Sequence, residues 1–416
     1  VASVYDSQSR LLSKKSYCYI KQKGGLIMKA FTFLAVLSLF NTCCDTDFVD
    51  HYPYIPPEGI HDGLGVGTLE EVGIDSQIIL KSTGRIDQGK YGEIHSMLIY
   101  KDNLLVFEKY FEGHQFKWDA PGYYGEWVQW NKTMPHQIMS CTKSFVSACI
   151  GIAIDQGYIE SVHQSVFDYL PNHQQYRTEG RENITIEHLL TMSSGLKWDE
   201  WNAAHATAAN DIDRLYIECW ENPLNCVLER PLVSKPGDAF TYNGGGMITL
   251  GEILKNAIGV NMIDFAKHNL FLPLGIDTIQ WDTFPKGEVE AGGGLHLTPR
   301  DMVKFGVLYL NNGLWNGKQI INEEWVTKSS EVYRNNSGIK IPIEDSGKNG
   351  YGYTWWISEV GSGSHKTHMY RANGWGGQVI MVLPEKNTVV VFTGGNFNSK
   401  SHLFEILERF ILPAIN

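Results

Sequence analysis

Ser140-Cys141-Thr142-Lys143 heads the apolar run Ser144-Phe145-Val146-Ser147-Ala148-Cys149-Ile150-Gly151-Ile152-Ala153-Ile154, and the reading of the chain starts there. The run predicts a helix that stops at Gly157. Residues three apart on a helix lie one turn apart on one face. The Lys143 amine is therefore set beside the Ser140 hydroxyl. A serine at its free pKa is a weak nucleophile and needs an adjacent base. The Ser-x-x-Lys spacing occurs three times, at Ser140/Lys143, Ser194/Lys197 and Ser337/Lys340. Gly195 and Gly338 follow the second and third serines at once, in stretches rich in turn residues. Only Ser140 opens a long apolar segment. Read alone, the four residues also suit a helix-capping serine and a lysine extended along its own helix.

Other segments supply what acyl-transfer chemistry requires: a nucleophile, a base and donors for an oxyanion. A serine at a helix N-terminus has free backbone N–H groups and the positive end of the helix dipole nearby. Lys143 can take the serine proton only if its own pKa is lowered, and its apolar helix predicts desolvation. Phe240-Thr241-Tyr242-Asn243-Gly244-Gly245-Gly246 places a tyrosine in a tight loop. A phenol titrates near pH ~10, so Tyr242 as a base needs a cation such as Lys143 beside it. Without one, the segment is a turn with a packed tyrosine. In Ala372-Asn373-Gly374-Trp375-Gly376-Gly377-Gln378, glycines at a strand start let a ligand approach the backbone.

Composition limits the rest. A chain of 416 residues holds one large or two ordinary domains. With 43% apolar and 19% charged residues it reads as globular. A net charge of −11 with no basic stripe excludes nucleic acid as the expected partner. The seven cysteines contain no Cys-x-x-Cys, and there is no His-Glu-x-x-His, so neither metal nor cofactor is expected. Cys141 and Cys149 stand about 12 Å apart along their helix, beyond disulfide reach of about 7 Å. Cys219 and Cys226 can pair in an oxidising compartment.

Near the start, Met28-Lys29 precedes Ala30-Phe31-Thr32-Phe33-Leu34-Ala35-Val36-Leu37-Ser38-Leu39-Phe40 and then Asn41-Thr42-Cys43-Cys44. A basic start, a short apolar core and a small residue before cysteine read as a secretory signal at 28–43. Cys43 or Cys44 is the expected acylation site, although Phe40 and Asn41 fit the usual lipoprotein pattern loosely. Residues 1–27 read as upstream leader and 44–69 as a linker. The expectation is an exported bacterial lipoprotein, periplasmic or on the cell surface, that meets a membrane only through its anchor. The competing reading is a disordered leader with a short buried apolar helix.

Along the body of the chain, a helix is predicted at 75–88. A hairpin follows, with strands at 96–100 and 104–110. Residues 113–135 read as irregular. Thr185 caps a helix at 186–192 that stops at Gly195. Thr298-Pro299-Arg300-Asp301 starts another, over 302–310. A strand is expected at 351–358, a second hairpin at 378–383 and 388–393, and a last helix at 402–412. Strands near both ends with helices between predict an α+β fold. Its antiparallel sheet comes from about 70–139 and 346–416, flanked by terminal helices, with a mostly helical domain inserted at about 140–345.

The order of Ser-x-x-Lys, tyrosine and glycine-rich strand start resembles the serine β-lactamase-related hydrolases. That superfamily includes class C β-lactamases, D-alanyl-D-alanine carboxypeptidases, family VIII esterases and 6-aminohexanoate-dimer hydrolases. Connecting segments are similar too: Gly151-Ile152-Ala153-Ile154-Asp155-Gln156-Gly157, Ile184-Thr185-Ile186-Glu187-His188-Leu189-Leu190-Thr191-Met192-Ser193-Ser194-Gly195-Leu196, Phe271-Leu272-Pro273-Leu274-Gly275-Ile276 and Gly292-Gly293-Gly294-Leu295. The resemblance covers residues 70–415. It implies a β-lactamase/transpeptidase-like fold, Ser140 as nucleophile, and proton transfer shared by Lys143 and Tyr242. It also implies oxyanion donors at the backbone N–H groups of Ser140 and Trp375, and substrate contacts from Asn243, Gly244, Asn373, Gly374 and Trp375.

Two departures narrow the activity. The family's Tyr-x-Asn appears as Tyr242-Asn243-Gly244. Ala372-Asn373-Gly374 stands in place of Lys-Thr-Gly, so the lysine that would meet a substrate carboxylate is absent. Arg371 could replace that charge, but an outward-facing surface arginine is the expectation. Trp375, Trp355 and Trp356 are candidates for an apolar acyl pocket, the last two equally for core packing. The expected protein is a serine hydrolase acting on a small ester or amide or a short peptide. A D-amino-acid peptidase or carboxypeptidase and a weak β-lactamase are the alternatives, with a catalytically silent binding protein as the non-enzyme reading.

Overall fold

The first predicted hairpin forms one edge of a seven-stranded antiparallel sheet to which both ends of the chain contribute. Its strands are β1 (Ile94–Lys101), β2 (Leu104–Tyr110), β3 (Gly350–Tyr351), β4 (Trp356–Val360), β5 (Thr367–Gly374), β6 (Gln378–Leu383) and β7 (Thr388–Gly394). Their order across the sheet is β3-β4-β5-β6-β7-β1-β2. The computed structural model describes residues 54–334 and 336–415. The expected leader, the signal and Cys43 and Cys44 lie outside the described residues.

Two long-range pairings close the sheet. β1 meets β7 with Met97 opposite Phe392 and Ile99 opposite Val390. Every residue of β1 and β7 is buried, so these strands read as unbroken apolar runs. Successive side chains nevertheless point to opposite faces. Met97, Ile99, Val390 and Phe392 join one core, beneath α1 (Ser76–Asp87) and the terminal helical segment from Leu403 to Ala414. Leu98, Tyr100, Val389 and Val391 join the larger core on the other face. There α2 (Thr142–Asp155), α3 (Gly245–Ile258) and α4 (Pro299–Leu310) pack. Gly306 of α4 lies against Ile380 and Val389, where an added Cβ would collide with both side chains. The helix therefore sits directly on the sheet.

The caps expected at Thr185 and Thr298 form, and Asp75, read as the first helical residue, is itself a cap. The Asp75 carboxylate accepts from Gln77 N at 2.9 Å, Thr185 accepts from His188 N, and Thr298 accepts from Asp301 N. Cys219 and Cys226 form a disulfide, while Cys141 and Cys149 are free and buried.

Several expectations change. The sheet is covered on its second face by α4, which lies inside the stretch expected to form a separate helical insertion. Residues 113–135 are not irregular: Glu112–Phe116 and Tyr124–Gln129 form an antiparallel pair. Their residues are mostly exposed or half-buried, so no apolar alternation marked them. The helix at 186–192 ends at Leu190, because Met192 turns left-handed at φ 55°. The strand at 351–358 is two strands, β3 and β4, separated by a turn with Thr354 at φ 67°. β5 had no predicted counterpart. Its sequence, Thr-His-Met-Tyr-Arg-Ala-Asn-Gly, mixes polar and apolar residues that are nonetheless mostly buried.

Candidate active site

Ser140 sits in a tight turn, Met139–Cys141, that runs straight into α2. Three connections hold this turn. Ile138 N donates to Leu295 O at 2.9 Å. Thr142 Oγ1 accepts from Leu295 N at 3.3 Å. On the sheet side, Gly374 at the end of β5 comes so close that an added Cβ would collide with the Ile138 carbonyl oxygen. Only glycine permits that approach, which brings Trp375 to the mouth of the site. Met139, immediately before the serine, has φ 48°, a conformation that costs a non-glycine residue energy and must be imposed by its surroundings.

Ser140 is half-buried and opens into a cavity of about 1040 Å³. One turn along α2, the buried Lys143 donates to Ser140 Oγ at 2.7 Å and to Gly292 O at 2.7 Å. The Lys143 ammonium stands 5.0 Å from the centre of the Tyr242 ring. Lys143 is thus enclosed by the helix, the Gly292 strand start and the tyrosine loop. Ser140, Lys143 and Tyr242, far apart in sequence, converge on one point. Asn373, Gly374 and Trp375 line the same cavity. Trp375 is anchored by its indole N–H, which donates to Phe397 O at 3.0 Å, and by the His205 ring stacked at 4.3 Å.

Asn243 and Gly244, expected among the substrate contacts, are not brought to the cavity surface. Both are buried outside the cavity lining. Asn243 Oδ1 accepts from Gly246 N at 2.9 Å and so serves the first turn of α3, while Gly244 N donates to Glu200 at 2.7 Å. Arg371 is not a surface arginine. It is fully buried, paired with Glu344 at 3.1 Å and bonded to Asn349 at 3.0 Å. Trp355 is core, stacked against Phe305 and Tyr309. Trp356 lines the cavity and lies parallel to the Tyr242 ring at 5.7 Å.

Two carboxylates that sequence reasoning passed over, Glu200 and Glu290, complete the electrostatics. Both are buried and both line the cavity. Burial pushes the Lys143 ammonium down, as expected, but Tyr242, Glu200 and Glu290 outweigh it and the net shift is upward. Burial raises the Tyr242 phenol, and the Lys143 charge opposes that rise without cancelling it. Glu200 is raised by burial against Lys143, the Gly244 N–H and the Trp198 indole. Glu290 is raised by burial to about 7, again against Lys143. Lys143 is therefore held protonated beside Ser140 by carboxylates that share its enclosure. A signal for Glu290 was present in the sequence: it immediately precedes Ala291-Gly292-Gly293-Gly294, whose first glycine carbonyl receives Lys143.

Known proteins agree with this architecture. A family-wide sequence model described as Beta-lactamase matches residues 95–401. An uncharacterised protein of Alkalihalophilus pseudofirmus is 22% identical over 333 residues, covering 73% of this chain and 84% of its own. Among solved structures, a candidate 6-aminohexanoate-dimer hydrolase from Bacillus anthracis superposes with a TM-score of 0.62 at 21% identity, covering 79% of this chain and 80% of its own. A family VIII carboxylesterase superposes with a TM-score of 0.60 at 14% identity, covering 82% and 96%.

Proposed function

We propose that this chain, which belongs to the Beta-lactamase family, is a serine hydrolase that cleaves an ester or amide bond through an acyl-Ser140 intermediate. The observation that carries this reading is the 2.7 Å bond from Lys143 Nζ to Ser140 Oγ at the floor of an open cavity. In the first step Ser140 Oγ bonds to the substrate carbonyl carbon, and the serine proton passes to the Lys143–Tyr242 pair. The carbonyl oxygen becomes an oxyanion facing the Ser140 and Trp375 N–H groups. One such donor is worth about 2.7–4 kcal/mol in comparable sites. The carbon–oxygen or carbon–nitrogen bond to the leaving group then breaks, and the pair returns the proton to the departing atom. Water repeats the sequence on the acyl-serine and releases the acid.

Either Lys143 or Tyr242 must first give up a proton to act as a base. The buried carboxylates oppose that loss from Lys143, so turnover rises with pH. The absence of a substrate-facing cation in the Asn373-Gly374 segment favours esters or amides without a carboxylate over β-lactams. Labelling with a fluorophosphonate probe tests the reading. Ser140→Ala should abolish labelling and reduce p-nitrophenyl ester turnover by at least about 10⁴-fold. Labelling that survives in Ser140→Ala refutes it, and rapid nitrocefin turnover by the intact chain refutes the substrate preference.

A further inference from the structure

The acyl-serine reading asks one thing of Trp375: a backbone N–H held steady toward the carbonyl oxygen. Its own stretch of chain does little to hold it. Gly374 precedes it, and Gly376 and Gly377 follow at φ 84° and 97°. Glycines place few restraints on their own backbone. The hold on this peptide therefore comes through the Trp375 side chain. Its indole N–H donates to Phe397 O at 3.0 Å. The rings of Tyr123 at 4.9 Å, Phe397 at 5.2 Å and Phe116 at 6.1 Å all meet it steeply, at 74° to 77°.

The face of the indole has a different neighbour. His205 lies 18° from parallel to it, with ring centres 4.3 Å apart, and is the one ring stacked flat on Trp375 among the described residues. It comes from a separate part of the fold, the loop that leads into the helix Asp211–Ile217, and Trp201 to His205 line the cavity. That loop is braced where it carries the imidazole. Asp213 is 2% exposed, and its Oδ2 accepts from His205 Nδ1 at 3.1 Å and from Ala206 N at 2.7 Å. Asn210 Nδ2 donates to Ala203 O at 3.1 Å. Ala206 is held at φ 59°, a conformation that a non-glycine residue keeps only when its surroundings impose it.

We infer that His205 is a positioning residue for the oxyanion site: fixed by Asp213, it covers the Trp375 face and holds the Trp375 N–H toward Ser140. The inference rests on the acyl-serine reading. His205 acts through Trp375 and not on the reacting atoms. Without it, the peptide is free to shift within its run of glycines. The oxyanion then loses part of its stabilisation, while contacts that substrate makes elsewhere in the cavity remain.

Two readouts test this. One is kcat for a p-nitrophenyl ester, expressed per site titrated with fluorophosphonate. The other is the inhibition constant of phenylboronic acid: Ser140 Oγ bonds to boron, the serine proton passes to the Lys143–Tyr242 pair, and the tetrahedral anion places an oxygen in the oxyanion site. His205→Ala should lower kcat per site at least about tenfold and weaken phenylboronic acid at least about fivefold, with KM changed less than about twofold. His205→Phe, which returns a flat ring to the indole, should recover most of both losses. A purely structural role would lower the number of titrated sites and leave boronate affinity per site at the parent value. If His205→Ala does not fold, Asp213→Asn, which weakens the hold on the imidazole, should move both readouts in the same direction by at least about threefold. Parent-like values in these variants, a loss confined to KM or to the site count, or a His205→Phe as impaired as His205→Ala overturns the inference while the hydrolase reading stands. A parent chain that neither labels with fluorophosphonate nor binds phenylboronic acid refutes the hydrolase reading, and the inference falls with it.

Discussion

Arg371 and Lys143 are both buried cations, and the molecule treats them in opposite ways. Arg371 has a direct counter-charge: Glu344 and Asn349 take the two terminal nitrogens of its guanidinium, and the Phe404 ring lies 4.5 Å from it, while Nε is buried without a hydrogen-bond partner. Burial still pulls it below its usual range, and Glu344 opposes that. Lys143 instead spends its bonds on a hydroxyl and a carbonyl, and leaves its two carboxylate neighbours without a direct contact. The first arrangement fixes a strand against its surroundings. The second keeps a charge whose proton can still be moved. Burying a cation is costly in both places, and a direct carboxylate partner is what Arg371 has and Lys143 lacks.

Lys143→Met probes the reactive side and should show the largest effect. Loss of proton transfer is expected to lower kcat/KM by about 10⁴-fold, near 5 kcal/mol. The fold should persist, because Glu200 and Glu290, both raised by burial, can take up protons in place of the lost charge. Turnover of a p-nitrophenyl ester beside near-ultraviolet circular dichroism reads both quantities. A variant that unfolds would erase the contrast with Arg371.

Arg371→Met probes the structural side. It leaves the Glu344 carboxylate without its ion partner and should cost about 3–5 kcal/mol of stability, read by urea unfolding. A cost under about 1 kcal/mol would make Arg371 as dispensable as a surface ion.

A smaller effect separates Glu290 from both. Its folded pKa of about 7 stands above its ordinary value of 4.5, so between those two pH values the folded chain holds a proton that the unfolded chain has lost. Its contribution is therefore fully present at pH 4 and is lost as pH rises to 7. Glu290→Gln should match the parent in acid and exceed it at pH 8 by up to about 3 kcal/mol. Thermal unfolding at the two pH values measures this; a variant less stable at pH 8 than the parent would contradict it.

Legibility followed the range over which each feature is determined. The caps at Thr185 and Thr298 are local chemistry, and sequence reading placed them. β1, β6 and β7 were legible because burial on both faces leaves a dense apolar run, and β2 because its first four residues, Leu104 to Phe107, are apolar. β5 was not, since Thr367 and Arg371 are buried only because partners distant in the chain receive them. In the site, the helical spacing of Ser140 and Lys143 could be read from sequence alone. Tyr242 and the Asn373-Gly374-Trp375 segment needed the family pattern. The pattern also placed Asn243 with the substrate contacts, whereas the structure seats it at the first turn of α3, outside the cavity lining. Glu200 was missed because nothing in its local sequence says that a lysine carried by α2 is its neighbour, and the one cue for Glu290, the glycine run just after it, became readable only once Gly292 was seen to receive Lys143.

The turn around Met139 has a consequence for the timing of activity. Ser140 is positioned by Leu295 on one side and Gly374 on the other, and the sheet that carries Gly374 closes only when β7 pairs with β1. A chain emerging from the ribosome completes its nucleophile helix early but receives the strand end that seats it much later. Until then the serine has neither its Gly374 support nor its Trp375 neighbour. On the proposed acyl-serine reading, the growing polypeptide is therefore a poor acyl acceptor, and reactivity is expected only as the final strands lock into place.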